Sequence, residues 1–197
     1  MKKFKFLLLS ACIALVACTT KTSSEQQVSD KGTKWSWDKG TIVVETPERP
    51  AEQTSVIGLT IPKMEVVRVG FVGLGMRGPG AVERFTYIPG VEIVALCDYE
   101  KERAEKCQKY LQRASMHKAA IYSGEKGYEE LCKRDDIDLV YIATDWLHHF
   151  PVAMCAMENN KNVAIEVPSA MDLKECWALV NMSEKTRKHC MILENCC

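Results

Sequence analysis

Six residues, Gly73-Leu74-Gly75-Met76-Arg77-Gly78, set three glycines at G-x-G-x-x-G spacing directly after the apolar run Val66 to Val72. This spacing suits one chemistry: the first glycine makes a tight turn, the second lets the backbone approach a pyrophosphate, and the third packs a helix closely on a strand. The helix that follows then presents free N–H groups and its positive dipole end to the anion. Asp98 lies 25 positions after Gly73, at the end of the next apolar run, close to the separation of about 20 that places a carboxylate on the adenosine ribose hydroxyls. A carboxylate there repels a 2′-phosphate, which favours NAD over NADP, with Lys101 and Arg103 the nearby residues able to neutralise it. Asp98 has a second reading, as a cap for a helix beginning at Lys101.

These residues need a scaffold, and the pattern from Val66 onward supplies one. Short apolar runs at Val66–Val72, Val91–Cys97, Ala120–Tyr122, Leu139–Ala143, Val163–Ile165 and Cys190–Leu193 alternate with helical stretches. Lys101–Arg113 and Asp172–Lys188 are long amphipathic helices; Pro79–Phe85, Lys126–Lys133 and Phe150–Asn159 are shorter ones. Six strands and five crossovers predict an α/β fold: a doubly wound parallel sheet, the Rossmann arrangement, in one nucleotide-binding domain over residues 63–197.

The remainder reads differently. Residues 1–17 carry Lys2, Lys3, Lys5, no acid, and an apolar run from Phe6 to Ala17, a signal-peptide pattern too short to span a bilayer as a finished helix. Leu15-Val16-Ala17-Cys18 resembles a bacterial lipobox, so Cys18 is the expected lipidation site and the mature protein is expected to be exported and lipid-anchored to a membrane of the bacterial cell envelope. Residues 18–62, rich in Ser, Thr, Lys, Glu and Pro, read as a flexible arm without sustained periodicity, the Trp35-Ser36-Trp37 pair being exposed or locally packed. Formal charge balances at 26 basic against 26 acidic residues, which lacks the basic excess of a nucleic-acid binder. Beyond Cys12 and Cys18, eight cysteines fall mostly inside apolar runs without C-x-x-C spacing, reading as buried thiols; neither a metal site nor a disulfide framework is expected.

Val69-Gly70-Phe71-Val72-Gly73-Leu74-Gly75, Asp98, Ala143-Thr144-Asp145-Trp146-Leu147-His148-His149 and Glu166-Val167-Pro168 together resemble the nucleotide domain of the Gfo/Idh/MocA oxidoreductases over residues 64–197. Within that group, Gly75-Met76-Arg77-Gly78, the Trp146–His149 loop, Val163–Pro168 and Leu193-Glu194-Asn195-Cys196 resemble glycoside hydrolase family 109, whose activity is NAD-dependent hydrolysis of α-N-acetylgalactosaminides. The resemblance implies that Met76 and Arg77 contact the cofactor from the turn and Asp98 holds the adenosine ribose. It likewise places Trp146, Leu147, His148 and His149 around the nicotinamide side, Glu166 and Val167 along the nicotinamide ribose, and Asn195 near the ring. Neither histidine has an evident orienting partner in sequence. Typical dehydrogenase members carry Glu-Lys-Pro where this chain has Glu166-Val167-Pro168. Valine neither donates nor accepts a proton, which weakens an ordinary dehydrogenase assignment.

In the resembled glycosidases, NAD oxidises a ring hydroxyl, the adjacent C–H becomes acidic, the aglycone is eliminated, water adds and the hydride returns, so no net redox occurs. The family takes its substrate pocket and a catalytic tyrosine from a second sheet domain, so these 197 residues are expected to hold the cofactor half alone and not to turn over a glycoside. A sugar oxidoreductase and a non-catalytic, lipid-tethered nucleotide-binding module are the alternative readings.

Overall fold

The computed structural model describes residues 26–29 and 32–194, so Cys18, Asn195, Cys196 and Cys197 lie outside the described residues. The chain divides into two compact units, one ending at Glu45 and one starting at Thr46.

In the first unit, β1 (Gln27–Val28), β2 (Lys34–Asp38) and β3 (Thr41–Val44) form an antiparallel sheet in that order. Regular structure here differs from the irregular arm the sequence suggests. The two-residue connection Lys39-Gly40 has φ of +47° and +84°, the left-handed pair that matches hairpin twist. Strands of two to five residues are too short to register as periodicity, and Lys-Gly is a weaker turn signal than Asn-Gly. Trp35 and Trp37 sit on one face of β2 and meet edge to face, with ring centroids 6.1 Å apart.

The second unit holds β4 (Val67–Val72), α1 (Gly78–Phe85), β5 (Val91–Asp98), α2 (Lys101–Arg113), β6 (Ala120–Ser123), α3 (Gly127–Cys132), β7 (Leu139–Ile142), α4 (Trp146–Glu158), β8 (Asn162–Ile165), α5 (Leu173–Thr186) and β9 (Cys190–Ile192). Its six strands are parallel in the order β6-β5-β4-β7-β8-β9. The chain runs outward from β4 to one edge, returns beside β4 at β7 and runs to the other edge. That reversal is the topological switch point, where a crevice opens beyond the strand ends.

Alternation along the strands explains the two-faced core, since successive side chains point to opposite faces. Val72, Ile142 and Ile165 pack with Val152, Ala156 and Met157 of α4 on one face. Val69, Phe71 and Leu96 pack with Val82, Ala104 and Leu111 of α1 and α2 on the other. Asp138, just before β7, accepts from the backbone N–H of Arg68 and from its guanidinium at 2.7 and 2.9 Å, pinning β4 to β7 at their N-terminal ends. These bonds hold the Asp138 carboxyl below its ordinary range, Arg68 being the main cause.

Ahead of β4, the chain from Thr46 lacks regular elements but is tied to α5. The Arg49 guanidinium grips the buried Glu184 carboxylate at 2.8 and 2.9 Å, and Arg187 donates to the carbonyls of Thr54 and Ser55.

Candidate functional site

The turn after β4 is shaped by sterics. Gly73 has φ +92°, and a Cβ there would lie 2.5 Å from the Ala143 carbonyl and the Thr144 nitrogen; a Cβ on Gly78 would overlap the Gly73 carbonyl oxygen. Both glycines are therefore required for β4, α1 and the start of the β7 loop to converge. Gly75 differs: the nearest atom to a Cβ there is Arg103 Nη1 at 3.6 Å, so its open side faces the crevice. Arg77 caps α1 without a side-chain bond, and Pro79 lies in the first turn where its missing N–H costs nothing.

Asp98 ends β5 and is buried at 6% exposure. One carboxylate oxygen accepts from Leu74 N–H at 2.6 Å and the other from Glu100 N–H at 3.0 Å, while Arg103 Nη1 stands 3.5 Å away. The capping alternative does not hold as stated, because Glu100, not Asp98, occupies the cap position of α2. Asp98 instead ties the glycine turn to the start of α2 and still borders the cavity described next.

That cavity, of about 840 Å³, runs across the strand ends from Tyr99, Gly124, Glu125 and Tyr128 at one end to Trp146, His149, Glu166 and Val167 at the other. Gly73, Gly75, Met76, Arg77, Asp98, Trp146, His148, His149, Glu166 and Val167 line it together. Gly78 is buried behind the turn, and Leu147, 73% exposed, does not line the cavity. The sequence reading did not single out Tyr99, Gly124, Glu125, Tyr128 or Asp145. Gly124, with φ +82° between β6 and α3, was the one legible hint, because it marks a strand-end loop on the ligand side of the sheet.

Trp146 to His149 do not form a loop: they are the first turn of α4. Asp145 caps it, accepting from Leu147 N–H at 3.0 Å. The sequence pattern starts this helix at Phe150; in the structure it begins four residues earlier, with Pro151 inside it. Both histidines do have orienting partners. His148 Nδ1 lies 2.6 Å from Asp145 Oδ2; against a desolvation penalty, this bond and charge hold the Asp145 carboxyl below its ordinary value. His149 is 1% exposed with Nδ1 2.7 Å from the Pro168 carbonyl. A carbonyl only accepts, so Nδ1 carries the proton and Nε2 is left, in the neutral ring, as an acceptor that is buried and without a partner.

Glu166, after β8, accepts from Tyr141 Oη at 2.8 Å. Burial, then the Glu166 bond and charge, push the Tyr141 phenol up to about 12, so it stays a donor. Cys97, also on the cavity wall, is pushed up to about 12 by burial and the Asp98 charge, an unreactive thiol. The six described cysteines, Cys97, Cys107, Cys132, Cys155, Cys176 and Cys190, are free thiols, of which Cys176 is exposed.

An extended dinucleotide fits these features. The cavity falls in the ordinary size range of cofactor sites, about 300–1,000 Å³. It has a helix N-terminus and an open glycine at its middle, and an acid and an unpartnered imidazole acceptor toward its ends.

Comparison with known proteins agrees with this geometry. The family model described as oxidoreductase family, NAD-binding Rossmann fold, GFO_IDH_MocA, matches residues 67–194. Two curated proteins of Phocaeicola vulgatus match the full chain: glycosyl hydrolase family 109 protein 5 at 75% identity and protein 4 at 73%. The chain spans 38% of the length of each. Among solved structures, myo-inositol dehydrogenase from Lactobacillus casei in complex with NAD(H) and myo-inositol superposes with a TM-score of 0.53 at 27% identity, over 60% of this chain and 33% of that one. Switch-point crevice, glycine turn, strand-end acid and family match converge: the chain belongs to the Gfo/Idh/MocA oxidoreductase family and carries its NAD-binding Rossmann domain.

Proposed function

We propose that this domain is the cofactor half of an NAD-dependent glycosidase acting on α-N-acetylgalactosaminides, with the substrate side supplied by further residues of a longer protein. The observation that carries this reading is Val167. It lines the cavity beside Glu166, where dehydrogenases of the family resembled have a proton-transferring lysine, and a valine there cannot take that proton, so the chain departs from the dehydrogenase pattern. The similarity to family 109 proteins over the full chain supports it. Bound NAD would supply a reversible hydride acceptor. The protein's part is orientation: α1 and the turn would hold the pyrophosphate, Asp98 would face the adenosine ribose, and Glu166 with Val167 would lie along the second ribose. His149 Nε2 offers an acceptor, and Asp145 fixes His148 for proton exchange at the rim.

Steady-state assays of the longer protein with NAD and a chromogenic α-N-acetylgalactosaminide test the proposal. Aglycone release without accumulating NADH is expected, and the 197-residue chain alone should show none, since unpositioned substrate forgoes about 7–11 kcal/mol of barrier lowering. NADH accumulating in step with sugar consumption would instead establish a sugar oxidoreductase. We also propose that the mature protein is exported and held at the membrane through lipid on Cys18, a reading that rests on Leu15-Val16-Ala17-Cys18 alone.

A further inference from the structure

We infer that Tyr141 is a positioning residue for the cofactor site: it fixes the Glu166 carboxylate so that its remaining lone pairs meet the vicinal hydroxyls of the dinucleotide's second ribose. The inference rests on the NAD-binding reading of this cavity and extends it to a residue that does not line it.

Tyr141 lies on β7, one residue before the strand end, and is 4% exposed. Its ring is held on two sides, by Phe71 with centroids 5.0 Å apart and by Phe85 at 5.4 Å with interplanar angle 81°. Phe71 and Phe85 themselves pack edge to face at 5.2 Å. Three mutually packed aromatic rings leave the phenol few rotamers, so its hydroxyl is a rigid donor. That hydroxyl meets Glu166 Oε1 at 2.8 Å.

Glu166 would otherwise be poorly placed for precise work. Its backbone is fixed by a bond from its N–H to the Ile142 carbonyl, but a glutamate side chain has three rotatable bonds and borders open space here. A carboxylate has about four acceptor sites, and Tyr141 occupies one of them. Glu166 itself lines the cavity together with Val167 and His149. A carboxylate held still is complementary to a vicinal diol, which presents two O–H donors side by side. Ordering the acceptor before the ligand arrives removes an entropic cost from binding, as partners behind metal ligands and catalytic groups do elsewhere.

The test uses the full 197-residue chain and three ligands: NAD, ADP-ribose and ADP. NAD and ADP-ribose contain the second ribose; ADP lacks it. Tyr141→Phe keeps the ring and removes only the hydroxyl. It should weaken NAD and ADP-ribose about five- to tenfold, the size of one hydrogen bond, and leave ADP unchanged. Glu166→Ala should weaken the same two ligands at least as much, and Tyr141→Phe added to it should do nothing more, the mark of one residue acting through the other. If Tyr141→Phe does not fold, Phe85→Leu takes its place: it removes one of the two rings that hold the phenol but keeps the hydroxyl, and should weaken NAD and ADP-ribose while leaving ADP unchanged. Unchanged or equally weakened binding of all three ligands in Tyr141→Phe or in Phe85→Leu, or additive losses in the double variant, would overturn the inference. Failure of the unaltered chain to bind any of the three would instead refute the NAD-binding reading beneath it.

Discussion

Alanine at Gly75 and alanine at Gly78 should have opposite consequences, although the two glycines are three residues apart in one motif. At Gly78 a methyl would overlap the Gly73 carbonyl oxygen, a backbone atom that can yield only by moving the turn or α1. Overpacking of this kind costs about 1–3 kcal/mol. Here the obstacle is backbone, and the upper end applies. Against a total stability of about 5–15 kcal/mol, such a loss is visible as a lower unfolding midpoint in urea. At Gly75 the methyl would find only Arg103 Nη1 at 3.6 Å, ordinary van der Waals contact. The φ there is not positive, so alanine restricts the unfolded chain without straining the folded one, a change of about 0.4–1 kcal/mol in favour of folding. In the proposed binding mode the same methyl would project toward the pyrophosphate, however, and should reduce NAD affinity tenfold or more, about 1.4 kcal/mol. Urea unfolding and calorimetric titration of the two variants separate the effects. Gly75→Ala that binds NAD like the parent, or that unfolds as readily as Gly78→Ala, would refute the assignment of Gly75 as the point of ligand approach.

Asp98→Asn should lower stability by about 1.5–3 kcal/mol, because an amide can accept from only one of the two N–H groups, that of Leu74, which is buried, and that of Glu100. Calorimetry should also show the preference for NAD over NADP narrowing; an unchanged unfolding midpoint would contradict the anchoring role. Asp138 has a carboxyl held low by Arg68, so it contributes stability above the unfolded carboxylate value of about 3.9 and loses it as pH falls through its lower folded value. Urea midpoints should therefore drop between pH 4 and the acid limit, and less steeply in Asp138→Asn. For the N-terminal cysteine, Cys18→Ser should abolish incorporation of a palmitate analogue and move the protein from the membrane to the soluble fraction; identical fractionation of both forms would refute lipid anchoring.

Sequence alone determined the architecture of the larger unit. Apolar runs of strand length separated by amphipathic helices allow few solutions, and G-x-G-x-x-G after the first run with an acid after the second selects the doubly wound one. Local chemistry also marked the glycine turn, Asp98 and the Trp146–Val167 end of the cavity, because residues just past each apolar run must lie on one edge of a parallel sheet, while the Tyr99–Tyr128 end went unmarked. What depended on the third dimension was the partner of each side chain. Asp98 reads as a ribose ligand or a helix cap, yet its carboxylate is turned to the Leu74 N–H, 24 residues back, a bond that exists only because β4 and β5 are neighbours. His149 has no partner in its own helix; the Pro168 carbonyl arrives from beyond β8. Tyr141 looks like any apolar strand residue until β8 sets Glu166 beside it. The helical first turn at Trp146, ahead of the expected start at Phe150, is capped by Asp145, whose carboxylate accepts from the Leu147 N–H. Periodicity reports which face a residue occupies; which group it meets there is fixed by strand order, and strand order emerges only when the sheet is assembled.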